Sequence, residues 1–278
     1  MQTTNFLNIP NIIFGTWKLG LGNETIESVK KAISVGFRGI DSAYSYSNDF
    51  FTGKAIKGCD VPRENLFITN KVWKTFQGKD AVIEACKKSL KLMKLDYFDL
   101  YLVHWPVSIN SPNWERINHE TWLGMEYLYK NGLVKAIGVS NFLPHHIQSL
   151  IDRGITILPM VNQIEYHIGY TQSESVDYCK EKGILLEAWS PLGSGTLLNN
   201  KLIKTIAEKK QVTPALICLR YVIEKGIIPV VRSSNEQRML QNLQVFNFSL
   251  TKDELLQLDN INGEGFSGFH PDFNQPKE

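Results

Sequence analysis

The sequence has few cysteines and no closely spaced pair of them. Cys59, Cys86, Cys179 and Cys218 lie far apart along the chain. Disulfide-rich domains and structural zinc sites usually place cysteines in close pairs. We therefore expect no disulfide, no structural zinc and a reduced chain in the cytoplasm.

Long apolar runs and an excess of charge are also missing. No stretch is long enough to cross a bilayer, and residues 1–14 lack the basic start and apolar centre of a secretory signal. The 30 Lys and Arg residues nearly balance the 28 Asp and Glu residues, whereas nucleic-acid binders usually carry a strong basic patch. We expect a cytoplasmic monomer with a small-molecule ligand and neither a nucleic-acid nor a membrane partner.

What the sequence does contain is a regular alternation of short apolar runs with amphipathic segments. Its 278 residues, 43% of them hydrophobic, can form one large core or two smaller ones. The apolar runs, rich in branched side chains, predict eight strands. These are residues 12–15, 38–41, 66–71, 98–104, 134–140, 160–163, 185–190 and 227–231.

The segments between these strands have the periodicity of helices that bury one face. They are residues 25–35, 49–57, 80–93, 118–130, 144–153, 174–182, 201–210, 212–224 and 235–242. Thr213 and Pro214 form a typical helix start. Residues 6–10 are predicted to form a plug strand below the barrel.

Eight strand-then-helix units favour an α/β fold, a (β/α)₈ TIM barrel forming a single domain over residues 1–278. In such barrels the active site lies at the carboxyl ends of the strands. Polar residues occupy six consecutive predicted strand ends. Surface polar residues without a common function should fall on both faces of the barrel, so this one-sided placement supports an active site at these ends. The polar residues at these ends are Asp41, Lys71, His104, Ser140 with Asn141, Gln163 and Ser190.

A Rossmann-type NAD dehydrogenase is the main alternative fold. Gly20 and Gly22 follow the first strand, and Asp41 comes about twenty residues later, as in a dinucleotide-binding turn. However, Thr25 stands at the third glycine position, where a side chain obstructs the packing of helix on strand.

Metal-dependent hydrolysis has less support, because the six histidines form none of the usual ligand motifs. The adjacent pair His145 and His146 is typical of a solvated helix start. We therefore predict no metal site.

The motifs around these strand ends closely resemble those of the aldo-keto reductases. Asp41, Tyr46, Lys71 and His104 match the catalytic tetrad of that family. The resemblance continues through Gly15-Thr16-Trp17, residues 138–142, residues 162–167, Trp189-Ser190-Pro191-Leu192 and Arg232-Ser233-Ser234 with Arg238 and Asn242. It covers nearly the whole chain and implies an oxidoreductase that reduces aldehydes or ketones with NADPH.

The chemistry of carbonyl reduction fits these four residues. Hydride addition leaves negative charge on the carbonyl oxygen, so a proton donor is required, and Tyr46 is the natural general acid. The Lys71 ammonium would stabilise the phenolate, and Asp41 would pair with that buried cation. His104 would hydrogen-bond and orient the carbonyl.

The resemblance also implies where the cofactor lies. Trp189 would stack on the nicotinamide, while Ser140, Asn141 and Gln163 would hold its carboxamide. Ser190 and Leu192 would also contact the cofactor, and the small residues of the next loop, such as Gly193 and Ser194, would let backbone amides approach the pyrophosphate.

A helix start after the last strand is a natural site for an anion. Ser234 and Gln237 resemble a capping box there, with Ser233 beside them. Arg232 and Arg238 would bind a 2′-phosphate, which favours NADPH over NADH, and Asn242 would face the adenine.

Trp17, Trp73 and Trp105 follow family positions that line the substrate pocket. Residues 106–117 and the tail 263–278, with Phe266, Phe269 and Phe273, should form its movable walls. These parts do not identify the substrate. A regulatory subunit that binds the cofactor without catalysis remains the alternative function, although the intact tetrad argues against it.

Overall fold

Eight parallel strands close into a barrel in the order of the sequence. The computed structural model describes residues 5–276, and hydrogen-bonded pairing of the first strand with the last completes the ring. The strands are β1 (Ile13–Gly15), β2 (Gly39–Asp41), β3 (Phe67–Val72), β4 (Leu100–Val103), β5 (Ile137–Ser140), β6 (Val161–Glu165), β7 (Leu185–Trp189) and β8 (Ile228–Val231). The barrel prediction is confirmed, and the Rossmann alternative is wrong because a closed barrel has no open doubly wound sheet.

Helices surround the barrel. They are α1 (Asn23–Ser34), α2 (Asp49–Lys57), α3 (Lys79–Met93), α4 (Trp114–Lys130), α5 (Pro144–Asp152), α6 (Ser173–Glu181), α7 (Lys201–Lys210), α8 (Pro214–Glu224), α9 (Glu236–Leu243) and α10 (Lys252–Asp259). Thr213 caps α8 as predicted, its side chain accepting from the Leu216 N–H. The sequence prediction omitted α10, which begins with a capping box between Thr251 and Glu254.

Two apolar layers stabilise this architecture. The larger one fills the space between strands and helices and includes Phe14, Phe37 and Trp122. The smaller one closes the amino-terminal end of the barrel interior. Its buried members are Ile9, Ile13, Leu100, Leu102, Ala136, Val161 and Val230.

The predicted plug strand is wrong in form. Residues 6–10 make a turn and a coil rather than a strand, because the Asn5 side chain accepts hydrogen bonds from the backbone of Leu7 and Ile9. Ile9 is nevertheless fully buried in the apolar layer below the barrel.

Four predicted strand ends are shifted, and β4 and β7 each end one residue earlier than predicted, at Val103 and Trp189. β3 continues to Val72 and β6 to Glu165, so Lys71 and Gln163 lie inside their strands rather than at the ends. Among residues 5–276, no helix is both long and apolar enough to cross a membrane.

Candidate active site

A large cavity opens at the carboxyl ends of the strands, with a volume of about 1330 Å³. Asp41, Tyr46 and His104 line it. Lys71 lies just beneath with a fully buried side chain. The structure thus brings together the four residues predicted from β2, β3 and the segments that follow β2 and β4.

An ion pair forms the base of this cluster. Lys71 Nζ lies 2.5 Å from Asp41 Oδ1 and 3.2 Å from the Ser42 carbonyl oxygen. Burial lowers the pKa of the Lys71 ammonium, but the charges of Asp41 and Tyr46 outweigh this effect and hold the pKa above its usual value. Lys71 therefore remains a cation beneath the cavity.

The Tyr46 hydroxyl is the next atom outward. Its oxygen lies 3.4 Å from Lys71 Nζ. Burial raises the pKa of Tyr46, Lys71 lowers it and Asp41 raises it, so the pKa lies above the ordinary value. The hydroxyl thus keeps its proton at neutral pH, beside a cation that would stabilise the phenolate once the proton has left.

His104 provides a second polar group. Its ring packs edge-on against Tyr46 and Trp73, with centroids 5.6 and 5.1 Å away. Burial, followed by the charge of Lys71, lowers the pKa of His104 well below its usual value. The ring is therefore neutral and can donate one hydrogen bond, and Ser45 Oγ lies 3.5 Å from its Nδ1.

The polar residues predicted to hold the nicotinamide form a connected group in the cavity wall. Asn141 Nδ2 donates to the His104 carbonyl oxygen and to Ser140 Oγ, and Trp189 Nε1 donates to Asn141 Oδ1. These bonds fix the indole of Trp189 at the wall. Gln163 also lines the cavity, but its amide nitrogen donates to Asp41 and Glu187.

The residues predicted to contact the phosphates and the adenine are divided between the cavity lining and its surroundings. Ser190, Leu192, Ser194, Arg232 and Arg238 line it. The other four do not line it: Gly193, Ser233, Ser234 and Asn242.

Two of those four are closely packed by neighbouring residues. A side chain on Gly193 would meet the Leu197 side chain at 2.8 Å and the Gly265 backbone at 3.1 Å, and the positive φ of +53° also favours glycine. Asn242 is buried within α9.

The predicted capping box of α9 is wrong. Asn235 is the residue before the helix, and its side chain accepts from the Arg238 N–H at 3.0 Å. The Ser233 hydroxyl accepts from the Asn235 N–H, so the cap begins one residue later than predicted. The site remains a helix start next to two arginines.

Aromatic residues form the substrate end of the cavity. Trp17, Trp73, Trp105 and Phe269 line it, and Phe269 packs edge-on against Trp105 at 6.2 Å. The other two tail phenylalanines differ from expectation: Phe266 packs on Tyr170, and Phe273 is 69% exposed and stacks on His270.

The loop 106–117 supports the tail instead of lining the cavity. Ser108 Oγ donates to the Asp272 carbonyl oxygen, and Gln275 donates to the Pro106 carbonyl oxygen. On the opposite side, the Ser267 amide and hydroxyl both donate to Glu165 of β6. The tail is thus attached at both sides of the cavity mouth up to Pro276; residues 277 and 278 lie outside the described residues.

The histidine pair at the start of α5 also contacts the tail. His146 is fully buried, so the prediction of a solvated helix start is wrong for it. Nε2 of His145 and of His146 each lie 3.1 Å from Asp272 Oδ1. Three potential metal ligands therefore meet here.

The tautomer of His146 disfavours a metal at this position. Its Nδ1 accepts from the Leu143 N–H at 3.1 Å, so in the neutral ring Nε2 carries the proton and has no free lone pair. Burial, with the charges of His145 and His270, lowers the pKa of His146 to about 3. His145 therefore hydrogen-bonds Asp272, while His146 lies beside the same carboxylate without an aligned hydrogen bond.

Several residues that line the cavity were not predicted from the sequence. Lys18, Gly20 and Leu21 line it, although the first glycine motif was considered only as a Rossmann turn. Their position directly after β1 was the available signal. Glu187 was also missed, although it is the only charged residue in the run Leu185–Trp189.

Known proteins resemble this chain over nearly its whole length. The Aldo/keto reductase family profile matches residues 11–263. Glyoxal reductase of Bacillus subtilis is 42% identical over 96% of this chain and 94% of its own length. Methylglyoxal reductase DkgA of Salmonella typhimurium is 40% identical over 95% of this chain and 94% of its own length.

A solved aldo-keto reductase from a Medee basin deep-sea metagenome library superposes with a TM-score of 0.89. It is 38% identical, over 97% of both chains. The fold, the family profile and these relatives show that this chain belongs to the aldo-keto reductase family and is an oxidoreductase.

Proposed function

We propose that this protein reduces aldehydes or ketones to alcohols with NADPH, and that Tyr46 is the general acid. The observation that carries the proposal is the buried chain of contacts from Asp41 through Lys71 to the Tyr46 hydroxyl, at 2.5 and 3.4 Å. This arrangement places a proton donor at the cavity wall and a permanent cation behind it.

Each member of the cluster has a distinct task. NADPH, when bound, supplies the hydride. Tyr46 transfers its proton to the carbonyl oxygen as negative charge develops there, and Lys71 stabilises the resulting phenolate. The neutral His104 donates a hydrogen bond that orients the carbonyl.

The wall around the cluster fits a nicotinamide cofactor. Trp189 offers a flat indole face, held by its bond to Asn141. Because the Gln163 amide nitrogen already binds Asp41 and Glu187, Gln163 would contribute its oxygen, as acceptor for the carboxamide. Ser140 would complete that contact.

The end of the cavity that carries two arginines fits the phosphates of NADPH. Arg232 and Arg238 line the cavity, and neither forms an ion pair with a carboxylate of residues 5–276. Their guanidinium groups are therefore available to a 2′-phosphate, beside the start of α9. Ser190, Leu192 and Ser194 would flank the pyrophosphate.

The remaining predicted contacts are part of the same proposal. Asn242, on α9, would face the adenine, while Gly193, Ser233 and Ser234 would shape the loops around the cofactor from outside the cavity lining. A cytoplasmic location is favoured by the four free cysteines, of which three are buried. We also propose that the protein acts as a monomer.

Small 2-oxoaldehydes are the first substrates to test, because two relatives are named as reductases of glyoxal and methylglyoxal. Purified protein is mixed with NADPH and a panel of these and larger aldehydes and ketones, and loss of NADPH absorbance is followed. We expect turnover with NADPH and much less with NADH. NADPH binding without turnover of any carbonyl would instead support the regulatory alternative.

A further inference from the structure

Glu187 is a buried acid next to the catalytic cluster that the reaction above does not use. It lies in β7, inside the barrel, with no exposed surface. The register of β6 and β7 pairs it with Gln163. Its Oε2 accepts from Gln163 Nε2 at 2.7 Å, and the same nitrogen donates to Asp41 Oδ2 at 2.9 Å. One amide nitrogen therefore joins Glu187 to the ion pair.

The charges around Glu187 favour its neutral form. The charged groups that face it are Asp41 from β2 and Lys71 from β3, while Gln163 from β6 and its register partner on β8, Ile228, carry no charge. The single ammonium already balances the Asp41 carboxylate. A second carboxylate would add an unbalanced charge to a fully buried site, which is costly.

The unpaired oxygen of Glu187 favours the same form. Glu187 Oε1 is buried and has no hydrogen-bond partner among residues 5–276. An unpaired oxygen costs more in an ionised carboxylate than in a neutral acid. Consistent with this, burial and then the charge of Asp41 raise the pKa of Glu187 to about 7, although Gln163 and Lys71 lower it.

We propose that Glu187 is a positioning residue of this active site. In its protonated form it supports Gln163, and through Gln163 it holds Asp41 and Lys71 in the arrangement that lets Tyr46 give up a proton. The inference rests on the proposed carbonyl reduction and assigns a role in it to a residue outside the tetrad.

The loss of the Glu187 proton should slow reduction. A second negative charge would then face Lys71, and it would disfavour the Tyr46 phenolate. Tyr46 would become a weaker acid, so the rate constant of the reductive chemical step should fall as Glu187 ionises. We expect a decrease of at least about tenfold, as for one added charge within roughly 10 Å of Lys71 at an effective dielectric near 20.

The kinetic test compares pH profiles. Single-turnover reduction is measured from pH 5.5 to about 8.5 for the wild type and for Glu187→Gln, which still accepts from Gln163 but cannot ionise. We expect the wild-type rate to fall near pH 7 and the variant to lack that fall. Glu126→Gln is the control, because Glu126 is a buried acid on α4, bonded to Thr156 and outside the barrel; it should retain the wild-type profile.

A direct titration tests the same group without using activity. Protein labelled with ¹³C at the glutamate carboxyl carbon is titrated by NMR, and the Glu187 signal is the one absent from Glu187→Gln. We expect it to titrate near pH 7. A signal that titrates below pH 5 would overturn the proposal, even if the variant folds poorly.

Failure of the role of Glu187 can be separated from failure of the proposed function. If the wild type and Glu187→Gln both turn over with identical pH profiles, the positioning role of Glu187 is wrong, whereas the proposed carbonyl reduction is still supported. No turnover with any carbonyl would end the proposed function, and with it the role assigned here, whatever the titration shows.

Discussion

The Tyr46 hydroxyl lies 3.4 Å from the Lys71 ammonium, which in turn lies 2.5 Å from the Asp41 carboxylate. Replacing Tyr46 with Phe removes the proposed proton donor and leaves the ion pair in place. We expect kcat to fall by about 10²- to 10⁴-fold, while NADPH affinity, measured by fluorescence titration, stays near that of the wild type.

Tyr127→Phe is a suitable control, because Tyr127 is 43% exposed on α4, outside the barrel. It should keep wild-type activity. Comparable kcat values for Tyr46→Phe and the wild type would show that another group donates the proton.

Lys71→Met should affect both stability and catalysis. The substitution leaves Asp41 as a buried charge without its cation, which typically costs about 3–5 kcal/mol. Urea unfolding should therefore show a large loss of stability, with no measurable reduction.

The double variant Asp41→Asn, Lys71→Met removes both charges. We expect it to recover much of the stability, since no unpaired charge remains, but none of the activity. If Lys71→Met alone were as stable as the wild type, the ion pair would have no structural role.

Arg232 and Arg238 should determine the choice between NADPH and NADH. A charge-assisted hydrogen bond contributes about 1.5–3 kcal/mol, so changing either residue to Gln should raise KM for NADPH by roughly 10- to 100-fold. KM for NADH should barely change, because NADH lacks the 2′-phosphate. Steady-state kinetics with both cofactors measures the difference.

The control here is Arg116→Gln, since Arg116 forms an exposed pair with Glu120 within α4. It should leave both KM values unchanged. Equal increases for NADPH and NADH in the Arg232 and Arg238 variants would mean that these residues act on a part that the two cofactors share.

His146 should make the protein sensitive to acid. Its pKa is about 3 in the folded chain but about 6.5 when unfolded, so its contribution to stability is complete above pH 6.5 and is lost as pH falls toward 3. Between pH 7 and pH 4.5 the loss amounts to about 2.5 kcal/mol.

His146→Asn keeps an acceptor for the Leu143 N–H and cannot titrate. The free energy of unfolding of this variant should decrease less than that of the wild type between those two pH values, as measured by chemical denaturation. Parallel decreases in the two proteins would show that His146 does not cause the acid sensitivity.

The sequence predicts the barrel well because its signals are local. Each strand is a short apolar run, and the rule that active sites lie at strand ends identified Asp41 and His104 before their contacts were known. The start of α9 was shifted because Ser233, Ser234 and Asn235 are all good caps, so local preference does not choose among them.

The contact from Gln163 to Asp41 could not be predicted in this way. It joins residues 122 positions apart, on strands that face each other only once the barrel has closed. The role of His146 is similar, since burial of this ring depends on the tail folding back over α5. Contacts between distant segments leave no periodic signal in the sequence.

The interior of β4 shows how closely stability and chemistry are coupled in this barrel. Leu100 and Leu102 point into the apolar layer below, and His104 comes two positions later and reaches the cavity. Since neighbouring strand residues face opposite sides, one residue inserted after Leu102 would turn His104 out of the cavity without altering the composition of the strand. This chain should therefore tolerate exchange of one apolar residue for another in β4 far better than any change in the length of that strand.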